Sequence, residues 1–326
     1  MPVGSPSSAR VRWMLALRIA VSAALLTYLA TKIHFEQAFP KRPHVSNFLW
    51  FGCGVVAVLG GIWLSAWRWQ RVLSVFDVHV RVRRLLGISL AGLFVGNVLP
   101  STIGGDVLRV SRCTRDGAAR EHALASVIIE RLTGFVVLPL FVILGFVMWP
   151  AMFTKGSTWV ALLVAGIALT LLFAILVLAA SPRVAGRFLH HRDWTRFIGA
   201  VHVGIDRMRR EPGETAMVLL AALVFQCTTI ATVFFAVHTV GAAVPIAAVV
   251  AAAAAVAMVQ VLPISLSGLG VREGMFALLL HGLGVPTGKS VAIGLCWYAM
   301  TLVASFAGGP TFAFGHRARR EEPINA

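Results

Sequence analysis

Acidic and basic residues are scarce in the apolar parts of this sequence, and where they occur they stand close together. Three groups are candidates for function: Asp106 with Arg109, Glu130 with Arg131, and Arg272 with Glu273. Arg18 lies near the end of an apolar segment, where its side chain can reach the membrane surface, so no function is assigned to it. A charge near the middle of a membrane-spanning helix costs about 3 kcal/mol, so residues of this kind mark binding sites. Guanidinium groups bind phosphate through paired hydrogen bonds. The six residues are therefore predicted to bind an anionic substrate, and no catalytic residue is predicted.

Asp106 and Arg109 follow a glycine pair, Gly104 and Gly105, at which the helical pattern is interrupted. The free amides at the start of a helix attract anions. Arg109 lies three residues after Asp106 on the same helix face, where it can pair with Asp106 or with a ligand phosphate. The alternative is that Asp106 only caps the helix, which is common for Asp at this position.

Arg272 and Glu273 are the only Asp, Glu, Lys or Arg residues between Glu214 and Lys289. An arginine at such a position suggests a function because of its energetic cost. The alternative is a structural ion pair that holds the surrounding segment closed, since buried ion pairs are weak evidence for anything more.

Glu130 and Arg131 lie about two turns inside a predicted helix. Adjacent residues point about 100° apart on a helix, so each needs a separate partner. We expect Glu130 to pair with an arginine next to one of the helix breaks. Arg131 is then expected to face a cavity, where it could hold an anionic headgroup.

Two Pro- and Gly-containing stretches interrupt otherwise apolar segments, LPSTIGGD at Leu99–Asp106 and LPISLSGLG at Leu262–Gly270. Backbone that leaves the helical form inside a membrane must be buried in protein or line a wet cavity. We therefore predict two re-entrant helical hairpins around a polar interior. Their backbone residues are Pro100, Gly104, Gly105, Pro263, Ser267, Gly268 and Gly270.

The composition predicts an all-α polytopic membrane protein. Hydrophobic residues make up 58% of the 326 residues, charged residues 13%, and the mean hydropathy is +0.83. A soluble core of this size cannot hide so much apolar surface. Six segments have the length and composition of full spans: Trp13–Ile33, Asn47–Trp67, Ala123–Pro150, Trp159–Ala180, Thr215–Val240 and Ser290–Gly315.

The distribution of basic residues indicates the topology. If the interrupted segments Leu85–Arg115 and Val244–Leu283 both turn back, and the N-terminus is cytoplasmic, most of the 29 Lys and Arg residues lie inside. Cytoplasmic loops are rich in Lys and Arg, so this arrangement is favoured. It places both termini in the cytoplasm and the protein in the plasma membrane. The basic residues left outside are Lys41, Arg42, Lys155 and Lys289.

The same topology makes the chain a single membrane domain, 1–326, built from two inverted halves. The halves cover about 1–150 and 157–316, and a basic cytoplasmic tail follows at 317–326. VLPSTIGGDVLR at Val98–Arg109 and VLPISLSGLGVRE at Val261–Glu273 share VLP, paired glycines, Val and Arg in the same order. Such repeats often place the substrate site between the two halves.

Several functions are disfavoured by what the sequence lacks. The arginines lie between apolar spans and form no single basic face, so no nucleic acid is expected. The four cysteines are far apart, and no metal or cofactor site is predicted. No motif of a known catalytic site is present, so an enzyme is not favoured. The amphipathic segment Ser181–Pro212 is expected to contact anionic lipid headgroups, or else to pack against another loop.

Four sequence stretches together carry a resemblance to a known family: AWRWQRVL at Ala66–Leu73, GNVLPSTIGGDVLR at Gly96–Arg109, ERLTG at Glu130–Gly134 and SGLGVREG at Ser267–Gly274. Nearly the whole chain resembles the flippase-like membrane family related to the transmembrane region of lysylphosphatidylglycerol synthases, the multiple peptide resistance factors. The resemblance implies that the protein moves or presents anionic or modified lipids across the bilayer, without a soluble synthase domain. The sequence departs from the family at GGD before Arg109, where a Gly-Glu pair is expected, and in the final span, which lacks an expected arginine.

Three functions follow from these patterns. The first is translocation of an anionic phospholipid or lipid-linked intermediate. The second is an intramembrane transferase or its accessory subunit, with Asp106 or Glu130 as a base. The third is a non-catalytic membrane partner that anchors a separate lipid-modifying enzyme through its basic inner surface.

Overall fold

The computed structural model describes residues 44–98, 104–180, 204–260 and 268–314, together with Thr27 and Thr31. These parts of the chain form α-helices joined by short turns and contain no strand. The predicted all-α fold is therefore confirmed. The predicted span Trp13–Ile33, apart from its two described threonines, lies outside the described residues, as do the tail 317–326 and most of Ser181–Pro212.

Within each described range the helices are separated by few residues. We number them α1 Val45–Ser74, α2 Val82–Val98, α3 Gly104–Arg115, α4 Arg120–Met148, α5 Trp159–Ala180, α6 Pro212–Val240, α7 Ile246–Gln260, α8 Val271–His281, α9 Thr287–Ser305 and α10 Gly308–Phe314. A short 3₁₀ helix, Pro150–Thr154, follows α4. Four described stretches are long and apolar enough to cross a membrane: Val45–Ser74, Arg120–Met148, Pro212–Val240 and Thr287–Phe306.

Helices α1 and α6 lie side by side and run in opposite directions. At one end the Asn47 amide donates to the carbonyl oxygen of Thr239 at 2.8 Å. At the other end Nη1 of Arg71 lies 3.2 Å from Oε1 of Glu214. Because the start of each helix meets the end of the other, the pair is antiparallel.

The first interrupted segment doubles back on itself. Arg84, near the start of α2, donates to both carboxylate oxygens of Asp116, just after α3, at 2.8 and 3.0 Å. Between these ends the two helices touch through glycine. A Cβ atom on Gly105 would lie 2.5 Å from the carbonyl oxygen of Gly92, so only glycine permits this approach.

The chain before the second interrupted segment also lies close to the chain after it. Lys289, after α8, donates to the carbonyl oxygen of Gly241, before α7, at 2.9 Å. The turn into α8 uses Gly268 and Gly270, whose φ angles of 78° and 83° suit glycine. In chain order, one arrangement occurs twice: a long helix, a pair of shorter helices and another long helix. These are α1 to α4 and α6 to α9. Below, a broken pair means α2 with α3 or α7 with α8.

The last predicted span, Ser290–Gly315, is wrong at its end. Helix α9 stops at Ser305, and a turn leads into the short helix α10. Gly308 packs directly against the carbonyl group of Leu90 in α2, a contact that any side chain would block. Arg112 of α3 then donates to the carbonyl oxygens of Thr311 and Phe312 at 3.0 and 3.1 Å. These contacts turn the chain towards the first broken pair.

Candidate functional site

Glu130 lies at the centre of a buried charge cluster with only 3% of its surface exposed. Nη2 of Arg68 donates to Oε1 of Glu130, and so does the Ser65 hydroxyl at 2.9 Å. Nη1 of Arg109 donates to Oε2 at 3.1 Å. The predicted pairing of Glu130 with an arginine beside a helix break is confirmed. The carboxylate therefore joins α1, α3 and α4.

Aromatic rings cover both arginines of this cluster. The guanidinium of Arg109 lies 4.2 Å from the ring centre of Trp69, and that of Arg68 lies 4.9 Å from the ring centre of Phe225. Trp69 is fully buried, and its indole donates to the Ser126 hydroxyl at 2.9 Å. Such ring faces attract cations most strongly where water is excluded.

Arg68 and Trp69 are site residues that the sequence analysis missed. They stand in AWRWQRVL, one of the four stretches that carry the family resemblance. Arg68 directly follows the predicted span Asn47–Trp67, where a basic residue is expected simply to orient the chain. Its alternation with two tryptophans in that stretch was the available signal.

Asp106 and Arg131 form a second, more exposed pair beside the buried cluster. Nη2 of Arg131 lies 2.7 Å from Oδ2 of Asp106, and 54% of the Arg131 side chain is exposed. Nη1 of Arg109 is 3.8 Å from the same carboxylate. Glu130 and Arg131 thus have different partners, as expected. Asp106 binds across to α4, which goes beyond the capping role considered above.

Positive charge is in excess in this region. Three arginines, Arg68, Arg109 and Arg131, face two carboxylates, Asp106 and Glu130. Within the described residues, Nε and Nη1 of Arg68, and Nε and Nη2 of Arg109, are buried without a hydrogen-bond partner. A buried donor without a partner costs free energy, so an acceptor group from a ligand would be stabilised here.

Arg272 and Glu273 lie apart from this cluster and are almost fully buried, with 3% and 0% exposed. Nε of Arg272 donates to Oε1 of Glu273 at 3.1 Å, and the backbone amide of Gly270 donates to Oε2 at 2.6 Å. Glu273 therefore both pairs with its neighbour and caps the start of α8. Arg272 also lies near the rings of Trp297 and Tyr298, at 5.5 and 5.0 Å from the ring centres.

A cavity of about 260 Å³ opens beside Arg272, between α1, α2, α6, α7 and α9. Polar side chains on its wall include Asn97, Thr228, Thr229, Thr232, Gln260, Arg272, Tyr298 and Thr301. Nη2 of Arg272 and Nδ2 of Asn97 are buried and lack a partner among the described residues. Two residues of the cavity wall thus carry a buried donor without a partner among the described residues, and one of these donors belongs to a charged group.

The cavity and the buried cluster share one side chain. Phe225 lines the cavity and also carries the Arg68 guanidinium against its ring. The predicted site residues therefore fall into two neighbouring groups: Asp106, Arg109, Glu130 and Arg131 in the cluster, and Arg272 and Glu273 beside the cavity. Gly104, Gly105, Gly268 and Gly270 lie at the two breaks, while Pro100, Pro263 and Ser267 lie outside the described residues.

In the described parts of the chain, no three His, Cys, Asp or Glu side chains lie close enough together to hold a metal ion.

Comparison with known proteins gives a family for the chain. No curated protein and no solved structure matches the sequence. The family described as Lysylphosphatidylglycerol synthase TM region matches residues 15–309. The chain is therefore a membrane protein that belongs to this family, as its sequence motifs predicted.

Proposed function

We propose that this protein moves an anionic phospholipid, or a lipid-linked anionic intermediate, between the two leaflets of the plasma membrane. The observation that carries the proposal is Arg272, which lines a cavity between the helices and whose buried Nη2 has no hydrogen-bond partner among the described residues. A buried guanidinium nitrogen without an acceptor favours a ligand that brings one, and a phosphate oxygen does so with matching charge.

The topology that fits this function has six spans and two re-entrant hairpins. The spans are the predicted segment Trp13–Ile33 and helices α1, α4, α5, α6 and α9; the hairpins are α2 with α3 and α7 with α8. The contacts of Arg84 with Asp116 and of Lys289 with Gly241 support the hairpins, because each joins the chain before and after a broken pair. The excess of basic residues supports cytoplasmic termini.

The charged residues have separate tasks in this mechanism. Arg272 and Asn97 hold the phosphate in the cavity. The cluster of Arg68, Arg109 and Glu130 is separated from the cavity by the ring of Phe225. Its ion pairs fix the positions of both arginines, so it supplies a constant positive potential. Arg131 is half exposed and paired with Asp106, so it can exchange that partner for an incoming headgroup. The inverted halves, about 1–150 and 157–316, rock around the site.

Purified protein in lipid vesicles tests the proposal. The rate at which a fluorescent phosphatidylglycerol leaves the outer leaflet is measured by chemical quenching, with phosphatidylcholine for comparison. We expect the protein to accelerate transfer of the anionic lipid. Arg272→Lys keeps a positive charge beside Glu273 but loses the free Nη2, and we expect it to slow transfer about tenfold. Asn97→Leu should also slow transfer.

Arg112→Lys is the matched control. Arg112 is also buried, but it bonds to the carbonyl oxygens of α10 away from the cavity, so its loss should leave transfer unchanged. If the protein accelerates transfer of no anionic phospholipid and no polyprenyl phosphate, the proposal is wrong. Normal rates in both Arg272→Lys and Asn97→Leu would show that the headgroup does not use this cavity.

A further inference from the structure

Threonine hydroxyl groups on the cavity wall donate their hydrogens to backbone carbonyl oxygens. The hydroxyl of Thr228 donates to the carbonyl oxygen of Phe225 at 2.7 Å, and that of Thr229 donates to the same oxygen at 3.4 Å. The hydroxyl of Thr301 donates to the carbonyl oxygen of Trp297 at 2.9 Å. Each of these bonds lies within the threonine's own helix.

A hydroxyl group has one hydrogen to donate and two lone pairs that accept. Once the hydrogen is bonded to the backbone, only the lone pairs remain available. Thr228, Thr229 and Thr301 therefore present acceptors to the cavity, whereas Arg272 and Asn97 present unpaired donors. The wall has an anion-binding part and a part that needs hydrogens from the ligand.

Gly61 lets helix α1 pack closely against Thr228 of α6 at the cavity wall. Gly61 also lines the cavity, and a Cβ atom at this position would lie 2.7 Å from Oγ1 of Thr228. The absence of a side chain at position 61 therefore lets the Thr228 hydroxyl lie at the wall without a steric clash.

We infer that the cavity selects anionic phospholipids whose headgroup carries O–H or N–H hydrogens beside the phosphate. The phosphate oxygens bind Arg272 and Asn97, and the headgroup hydrogens bind the threonine oxygens. This inference rests on the proposed function and adds the chemistry of its substrate. A volume of about 260 Å³ suits a headgroup and leaves the acyl chains outside, since pockets that hold whole drug-sized ligands span about 300 to 1,000 Å³.

Sites built around hydrogen bonds discriminate strongly against analogues that lack the bonding group, because the site's polar atoms stay unpaired. Phosphatidylethanol is such an analogue. It keeps the negative phosphodiester but has an ethyl group where phosphatidylglycerol has hydroxyl groups and phosphatidylserine has an ammonium group. All three lipids carry one net negative charge. Phosphatidylglycerol differs from phosphatidylethanol in its hydroxyl-bearing headgroup without any added charged group, whereas phosphatidylserine adds a carboxylate together with its ammonium group.

The test measures transfer of these three lipids, with identical acyl chains, in vesicles that contain the full-length protein. We expect phosphatidylglycerol, phosphatidylserine or both to move about tenfold faster than phosphatidylethanol. Faster movement of phosphatidylglycerol alone identifies hydroxyl hydrogens as the ligand. Faster movement of phosphatidylserine alone identifies ammonium hydrogens if the threonine replacements below abolish the difference, and its carboxylate if they do not.

Replacement of the threonine oxygens provides the second arm. Thr228→Val and Thr229→Val keep the side-chain shape but remove the acceptor. We expect them to slow the preferred lipid to the rate of phosphatidylethanol and to leave phosphatidylethanol unchanged. Thr170→Val is the control, because the hydroxyl of Thr170 makes the same backbone bond, to Gly166 at 2.8 Å, on an exposed part of α5.

The outcomes separate this inference from the proposed function. Equal rates for all three lipids, with transfer still dependent on Arg272, would overturn the inference and leave the proposed function standing. Transfer of none of the three lipids would overturn the inference, and it would overturn the proposed function as well if polyprenyl phosphate is not transferred either.

Discussion

Nη1 of Arg109 lies 3.1 Å from Oε2 of Glu130, and this contact joins the second half of the first broken segment to a membrane-spanning helix. Arg68 reaches the same carboxylate from α1. One acid therefore fixes the relative positions of three helices. Removing one partner of a buried charge pair leaves the others uncompensated, which costs about 3 to 5 kcal/mol.

The first prediction concerns this carboxylate. Glu130→Gln keeps the size of the side chain but leaves Arg68 and Arg109 without a counter-charge, so we expect a large loss of stability, about 3 kcal/mol or more. The measurement is the thermal unfolding midpoint of the purified protein in detergent. Glu214→Gln is the control, since the pair of Glu214 with Arg71 is partly exposed and is worth about 0 to 1 kcal/mol. Equal midpoints for the two variants would contradict a structural role for Glu130.

The sequence predicted an arginine partner for Glu130, because helix geometry forbids adjacent residues from satisfying each other. It placed Arg131 at a cavity, whereas Arg131 pairs with Asp106 and is not among the residues that line the cavity beside Arg272. It did not predict the position of Arg68, since a charge near the end of a span looks the same whether it meets water or a buried acid. The end of α9 was also missed. An apolar stretch does not show where a distant contact, such as that of Gly308 with Leu90, will turn the chain.

The second prediction tests the close contact within the first broken segment. Gly105→Ala places a Cβ atom 2.5 Å from the carbonyl oxygen of Gly92, a backbone atom that cannot rotate away. Helices α2 and α3 must separate, and overpacking of this kind costs about 1 to 3 kcal/mol. The unfolding midpoint should fall relative to Gly52→Ala, because nothing lies within 4 Å of a Cβ atom at Gly52. An unchanged midpoint in Gly105→Ala would show that the two helices are not in contact there.

The third prediction concerns Trp69 and Ser126, whose side chains are hydrogen bonded in the buried cluster. Trp69→Phe keeps an aromatic ring beside Arg109 but loses the indole donor. We expect Trp69→Phe and Ser126→Ala to be non-additive by about 0.5 to 1.5 kcal/mol in a double-mutant cycle, because each removes the same bond. Unfolding midpoints of the two single variants and the double variant supply the measurement. Strict additivity would mean that the bond does not form.

The fourth prediction separates activity from stability at Arg131. Its pair with Asp106 is half exposed, so Arg131→Ala should change stability by no more than about 1 kcal/mol. We nevertheless expect this variant to lose transfer of anionic lipid, at a normal protein level in the membrane, because the proposed function assigns the exposed guanidinium the role of receiving the headgroup. Arg210→Ala removes another exposed arginine with an acidic partner, Asp206, and should remain active. Full activity of Arg131→Ala would show that Arg131 does not bind the headgroup.

The most direct measurement of the central claim compares the two leaflets in cells with and without the gene. The total amount of each anionic phospholipid is measured by mass spectrometry, and the amount in the outer leaflet by a reagent that cannot cross the membrane. We predict that loss of the gene changes the leaflet distribution of one anionic lipid at constant total amount, and that Arg272→Lys fails to restore it. A change in the total amount, with the distribution intact, would contradict translocation and point to a transferase.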